Sequence, residues 1–192
     1  MPDTIRTFIA IELPSDITAH ISDVQKRLKT FGFKMRWVRP ENIHLTLKFL
    51  GDINKADIEK VGNAMTHAVK ECTPLSLAAK GIGVFPGIKR ARVIWTGLKG
   101  DIHPLIELQK NLEGNLEGIG FPKEKRPFKG HLTLARAKGN MDPQKLLDAI
   151  NEIGNSESET FFADKVILFK SELKPTGAVY TKLMSADFMT SP

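Results

Sequence analysis

The pattern Arg-Pro-x-x-x-His-Leu-Thr-Leu occurs twice in this chain, from Arg39 to Leu47 and from Arg126 to Leu134, and restricts the fold more than any other feature. The copies lie 87 residues apart, close to half of the 192-residue length, and agree at six positions in one register. Composition alone readily yields a shared tetrapeptide, but six coincident positions point to two related halves facing each other. Each His-Leu-Thr-Leu segment alternates polar and apolar residues with the period of a β-strand. His44 and Thr46 therefore share one face, as do His131 and Thr133, while Leu45, Leu47, Leu132 and Leu134 turn towards a core. Burying both leucine faces leaves two imidazoles and two hydroxyls to line a common cleft.

Punctuation along the chain supplies the surrounding elements. Residues 7–13 read as a strand closed by Pro14, and Ser15 as the N-cap of a helix running to about Phe31. A short edge strand over 36–38 precedes the break at Pro40, and a strand over 43–50 ends at Gly51-Asp52. Ile58, Val61, Met65 and Val69 recur at helical spacing and predict a helix over 57–69. Strands over 75–84 and 92–96 follow, then a helix after Pro104 carrying Leu105, Leu108, Leu112 and Leu116. A basic connector, residues 121–130, leads into the strand over 131–136. A helix over 143–150 and strands over 161–169 and 178–184 complete the chain. Such interleaving, without a regular strand-helix-strand series, predicts an α+β fold with antiparallel pairing, a single domain made of two lobes.

Lys and Arg number 28 against 22 Asp and Glu, a net charge of +6 that favours an anionic partner without naming it. Lys34, Arg36 and Arg39 precede the first motif, Lys123, Lys125, Arg126 and Lys129 the second, and Lys89, Arg90 and Arg92 lie between. The single Cys72 permits no internal disulfide and suits a small buried hydrophobe better than a nucleophile. Residues 1–6 lack the basic and apolar regions of a leader, and no apolar run is long enough to span a bilayer, so a soluble cytoplasmic protein is expected.

Opening a cyclic phosphodiester requires a base for water on one side of phosphorus and an acid for the departing sugar oxygen on the other. Two histidines suit this, because neighbouring charge can hold one imidazole neutral and another protonated near neutral pH. Threonine hydroxyls at Thr46 and Thr133 can donate to the non-bridging oxygens. A metal site needs at least three protein ligands at suitable spacing, and the chain carries neither a His-Glu-x-x-His segment nor a Cys cluster, so no metal or cofactor is expected. There is no Gly-x-Ser-x-Gly elbow, and Gly81-x-Gly83 lacks the third glycine of a dinucleotide fingerprint. His20, His67 and His103 belong to no paired constellation and read as surface or capping residues.

These residues resemble the 2H phosphoesterases, named for paired His-x-Thr motifs, and among them the RNA 2′,3′-cyclic phosphodiesterases first described as 2′-5′ RNA ligases (LigT/ThpR type). The resemblance runs nearly the full chain. It includes Arg6 to Ile11, Glu41 to Gly51, Gly83 to Pro86, Arg92 to Trp95, Phe128 to Arg136, and Ser171 to Leu173 with Gly177 and Tyr180. It implies a bilobal fold with one motif per lobe, antiparallel sheets with outer helices around a central cleft, and opening of RNA 2′,3′-cyclic phosphate ends to 2′-phosphates. It further implies His44 as proton donor to the 3′-oxygen, His131 as acceptor from water, and Thr46 and Thr133 as phosphate ligands. Arg136 matches a recurrent arginine, yet strict alternation puts it on the leucine face, and it reaches a phosphate only across a bulge. Lys48, Arg126 and Tyr180 are further candidates for substrate contact. Phe49 and Trp95 can stack on a base, although the apolar strands holding them favour core packing. Rival readings are the reverse ligation, an RNA- or nucleotide-binding module without turnover, and a metal-dependent phosphohydrolase.

Overall fold

The computed structural model describes residues 3–175 and 177–189, so that Met1 and Pro2 of the amino-terminal reading lie outside it. Among the described residues the order is β1 (Thr4–Glu12), α1 (Ser15–Lys29), β2 (Met35–Trp37), β3 (His44–Asn54), α2 (Ile58–Val69), β4 (Leu75–Phe85), β5 (Val93–Gly100), α3 (Ile102–Glu117), β6 (Leu132–Ala137), α4 (Pro143–Ile153), β7 (Phe161–Ala163), β8 (Lys165–Lys174) and β9 (Gly177–Asp187). The strands form one antiparallel sheet in the order β7-β4-β5-β6-β3-β1-β8-β9, with β2 added alongside β6. No helix is long and apolar enough to cross a membrane among these residues.

The two halves predicted from the repeat meet at the centre of this sheet. β6 and β3 carry the motifs and are joined through one register pair, Leu45 with Leu132. Beyond it β5 and β4 extend one half, β1 and β8 the other. Extending that antiparallel register by one residue each way sets His44 against Thr133 and Thr46 against His131.

The core lies between one face of the sheet and the helices. Ile17, Ile21, Val24 and Leu28 of α1 and Leu105, Leu108, Leu112 and Leu116 of α3 are buried with Leu45, Leu47, Leu132 and Leu134 of the motif strands. Full burial of such side chains stabilises by about 1.5–3 kcal/mol each. The opposite face carries a smaller cluster, Phe8, Ala10, Ile167 and Phe169, with Tyr180 packed against it.

β3 runs on through Gly51-Asp52 to Asn54, Ser15 is the first residue of α1 with Pro14 at its N-cap, and three further departures from expectation have a clear physical cause. α3 starts at Ile102, before Pro104, because a proline in the first turn sacrifices no helical hydrogen bond. The segment read as one strand over 161–169 divides at Asp164: β7 pairs with β4 and β8 with β1, in different halves. Consecutive exposed residues Asp164 and Lys165 break the alternation that one strand would need.

The third departure bears on the site. Both motif strands bulge at the last residue of the tetrapeptide, Leu47 in β3 and Leu134 in β6. Leu47 and Lys48 are therefore buried in succession, as are Leu134 and Ala135, and the residues that follow directly have their faces inverted. Lys48, a sequence candidate for substrate contact, is thereby turned to the helical face. Its ammonium lies 2.7 Å from Glu113 Oε2 and 2.7 Å from the Pro122 carbonyl, and the Glu124 N–H donates to the same carboxylate. This ion pair fastens β3 to the connector ahead of the second motif. Lys48→Ala strands a buried carboxylate and is expected to cost about 3–5 kcal/mol. Urea unfolding checks this, and a midpoint equal to that of the wild type would contradict it.

Candidate active site

The register pair Leu45 with Leu132 sets the four motif side chains on neighbouring positions of adjacent strands. Nδ1–H of His44 donates to the carbonyl of Asn42 at 2.8 Å, and Nδ1–H of His131 to the carbonyl of Lys129 at 2.7 Å. In both halves the partner is the carbonyl two residues earlier. The same tautomer is thus imposed twice, which leaves Nε2 of each neutral ring with its lone pair free. These carbonyls carry no side-chain signature, so only the position of each imidazole at the start of its strand hints at them.

The two histidines differ in their surroundings. His44 stacks on Phe8, with centroids 4.6 Å apart, and meets the Tyr180 ring edge-on at 5.3 Å. Burial lowers its pKa, partly opposed by the bond to Asn42. His131 meets Phe85 edge-on at 5.0 Å and lies 6.0 Å from the Trp95 ring. Burial lowers its pKa too, the bond to Lys129 opposes this, and the Arg136 and Lys129 cations lower it further. Tyr180 has its phenol raised by burial, with Arg136 and Arg6 acting in the other direction. One guanidinium therefore acts on side chains of both halves.

The Leu134 bulge carries Arg136 off the leucine face, the condition on which its candidacy rested. Phe49, five residues after His44 as Arg136 is five after His131, is turned out in the same way. It is 65% exposed, which overturns the expected core packing; its ring centroid is 6.0 Å from that of Phe8. Trp95 is buried as expected, but in the cleft wall beside Thr133. Its ring covers Gly83, where an added Cβ would come within 2.2 Å of the indole carbons, and Lys129 Nζ lies 4.5 Å from its centroid. Arg126 is exposed on the connector. Among the described residues no group of three or more His, Cys, Asp or Glu is arranged to hold an ion. Phe8, Phe85 and Phe169 shape the site without having been candidates for it, since nothing in the repeat distinguishes them from ordinary strand residues, and Lys129, noted only as one of the cations before the second motif, lies over Trp95.

Comparison with known proteins places this bilobal antiparallel sheet among the phosphoesterases. The model of the LigT-like phosphoesterase family matches residues 11–95 and 100–180. The RNA 2′,3′-cyclic phosphodiesterase of Methanothermobacter thermautotrophicus is 33% identical over 179 residues, covering 93% of this chain and 96% of that protein. The enzyme of the same name from Methanocaldococcus jannaschii is 34% identical over 176 residues, covering 92% and 96%. Among solved structures, TT0787 of Thermus thermophilus superposes with a TM-score of 0.79 at 25% identity, covering 96% of this chain and 98% of that one. Escherichia coli LigT complexed with 3′-AMP superposes with a TM-score of 0.74 at 25% identity, covering 97% and 99%. The chain belongs to the LigT-like phosphoesterase family.

The pKa directions give a test that requires no substrate. In NMR titrations both His44 and His131 are expected below the ordinary value of about 6.5. Arg136→Met removes a cation that disfavours imidazolium, so His131 is expected to move upward while His44 stays low. A His131 titration unchanged by Arg136→Met would refute this electrostatic reading.

Proposed function

We propose that this phosphoesterase opens terminal 2′,3′-cyclic phosphates of RNA to 2′-phosphates, with His131 as base, His44 as acid and no metal ion. The observation that carries this reading is the pair of imidazoles on adjacent strands, each held by a carbonyl at Nδ1 so that Nε2 stays available, with a threonine from the other half opposite in register. Water adds to phosphorus as His131 Nε2 takes its proton. The bond from phosphorus to the 3′-oxygen breaks, and that oxygen receives the proton held by His44 Nε2. The product is a 2′-phosphomonoester beside a 3′-hydroxyl.

The surroundings favour this division of roles. Two cations beside His131 favour its neutral form, as a base requires. His44 sits against aromatic rings, with burial rather than a neighbouring cation lowering its pKa, and the substrate's own negative charge would favour its protonated form. Thr46, Thr133 and Arg136 supply donors and charge for the non-bridging oxygens, so that acid, base and anion binding all come from side chains. The homologues named RNA 2′,3′-cyclic phosphodiesterases support the substrate class. Phe49 offers an exposed face to a base, beside a groove of about 330 Å³ lined by Phe121, Lys123 and Lys125.

The test is a short RNA ending in a 2′,3′-cyclic phosphate, incubated with chelator and analysed for product. A 2′-phosphate is expected, and His44→Ala and His131→Ala are each expected to lose at least about a hundredfold in kcat. Persistence of the cyclic end, a 3′-phosphate product, or an alanine variant with wild-type turnover would each contradict the mechanism.

A further inference from the structure

Leu134 bulges out of its pairing with β5, while its carbonyl stays in register with β2 on the other side, where two donors reach it. The backbone N–H of Val38 lies 2.9 Å from the carbonyl oxygen, and Nε2 of Gln25, on α1, lies 2.9 Å from the same oxygen. The same amide donates to the Val38 carbonyl at 2.8 Å. Gln25 is only 2% exposed, between the core residues Val24 and Leu28.

The other bulge is held in a matching way. Nε2 of Gln109, on α3, lies 3.5 Å from the Leu47 carbonyl and 3.0 Å from Glu113 Oε1, the carboxylate that also binds Lys48. Gln109 is 7% exposed. The two glutamines stand in related sequence, Val24-Gln25-Lys26-Arg27-Leu28 and Leu108-Gln109-Lys110-Asn111-Leu112. The duplication therefore includes the helices and the polar group each points at the strand. An apolar side chain would fill either place without the cost of desolvating an amide. What the amides share is the carbonyl of the bulged residue.

The bulge decides what the cleft receives. Period-two alternation would continue His131 and Thr133 with Ala135; the extra residue continues them with Arg136 instead. We propose that Gln25 is a positioning residue for Arg136: by bonding Leu134 and Val38 together it fixes the bulge that holds the guanidinium in the cleft. Gln109, with Glu113 and Lys48, does the same for Phe49. Val38 lies in the segment leading to the first motif, so one amide ties the second half-site's bulge to the approach of the first. The catalytic consequence rests on the reading that Arg136 binds the phosphate.

The experiment compares Gln25→Met, Arg136→Met and the double variant, with hydrolysis of a 2′,3′-cyclic mononucleotide, the NMR titration of His131 and thermal unfolding as readouts. Methionine keeps the volume and removes both donors. Gln25→Met is expected to lose about ten- to a hundredfold in kcat/KM. It is also expected to move His131 upward as Arg136→Met does, and to add little on the Arg136→Met background. A folded Gln25→Met in which His131 titrates as in the wild type overturns the proposal, whatever the rate. So do losses that multiply in the double variant, since the amide then acts independently of Arg136. If Gln25→Met does not fold, Gln25→Asn, too short for both carbonyls, is read by the same criteria. Failure of both to fold overturns the positioning role, because the amide then holds the fold. Wild-type turnover by Arg136→Met would overturn phosphate binding by Arg136, while the His131 titration still tests the clamp.

Discussion

Leu45 and Leu132 meet at the middle of the sheet, and their pairing is the contact through which the half-sites acquire a common frame. Both side chains are fully buried under the helices, so sliding either strand by one residue would expose a leucine and bury a histidine or threonine. Hydrophobic burial on one face thus fixes polar geometry on the other. Since the pair lies inside both tetrapeptides, small errors in either half have little chain over which to accumulate before reaching an imidazole. The Nδ1 bonds complete the arrangement by restricting each ring about the remaining torsion.

Identical tetrapeptides do not make identical groups. His44 is packed among Phe8, Phe169 and Tyr180, whereas His131 has Phe85 and Trp95 at its sides and two cations nearby. Corresponding positions differ most at Phe49 and Arg136, an aromatic face in one half and a fixed positive charge in the other. A duplicated scaffold thereby offers the opposed proton-transfer roles that one reaction demands, with the difference carried by neighbours rather than by the motifs.

Much of this was legible in the residues. The repeat located both motif strands, alternation assigned His44, Thr46, His131 and Thr133 to a shared face, and the helical spacing of apolar residues located α2 and α3. Much of what was not legible depended on the residues inserted at Leu47 and at Leu134. Alternation extended through Leu47 and Leu134 gives the wrong face for Phe49 and leaves Arg136 conditional, because a bulge has no local marker when neither strand contains a glycine or proline at that point. Lys48 looked like one more cation in a basic region until the fold paired it with Glu113, 65 residues away. The division of the 161–169 segment was hidden for a similar reason. Its apolar residues suit a strand on either side of Asp164, and only pairing over the whole sheet separates them.

That division has a consequence for how the chain is made. Since β8 returns to the first half after the second is complete, Thr7 has Lys170 as its partner and Phe8 has Phe169. On a translating ribosome β1 can pair with β3 early, yet its other edge stays open until β8, more than 150 residues later, has emerged. During that interval an apolar strand presents unpaired N–H and C=O groups and the Phe8 ring to its surroundings, the condition under which strands associate with the wrong chain. The interleaving that closes the cleft from both sides also denies the first half a complete sheet until the second has been made. Duplication here has produced a molecule whose parts mature only together.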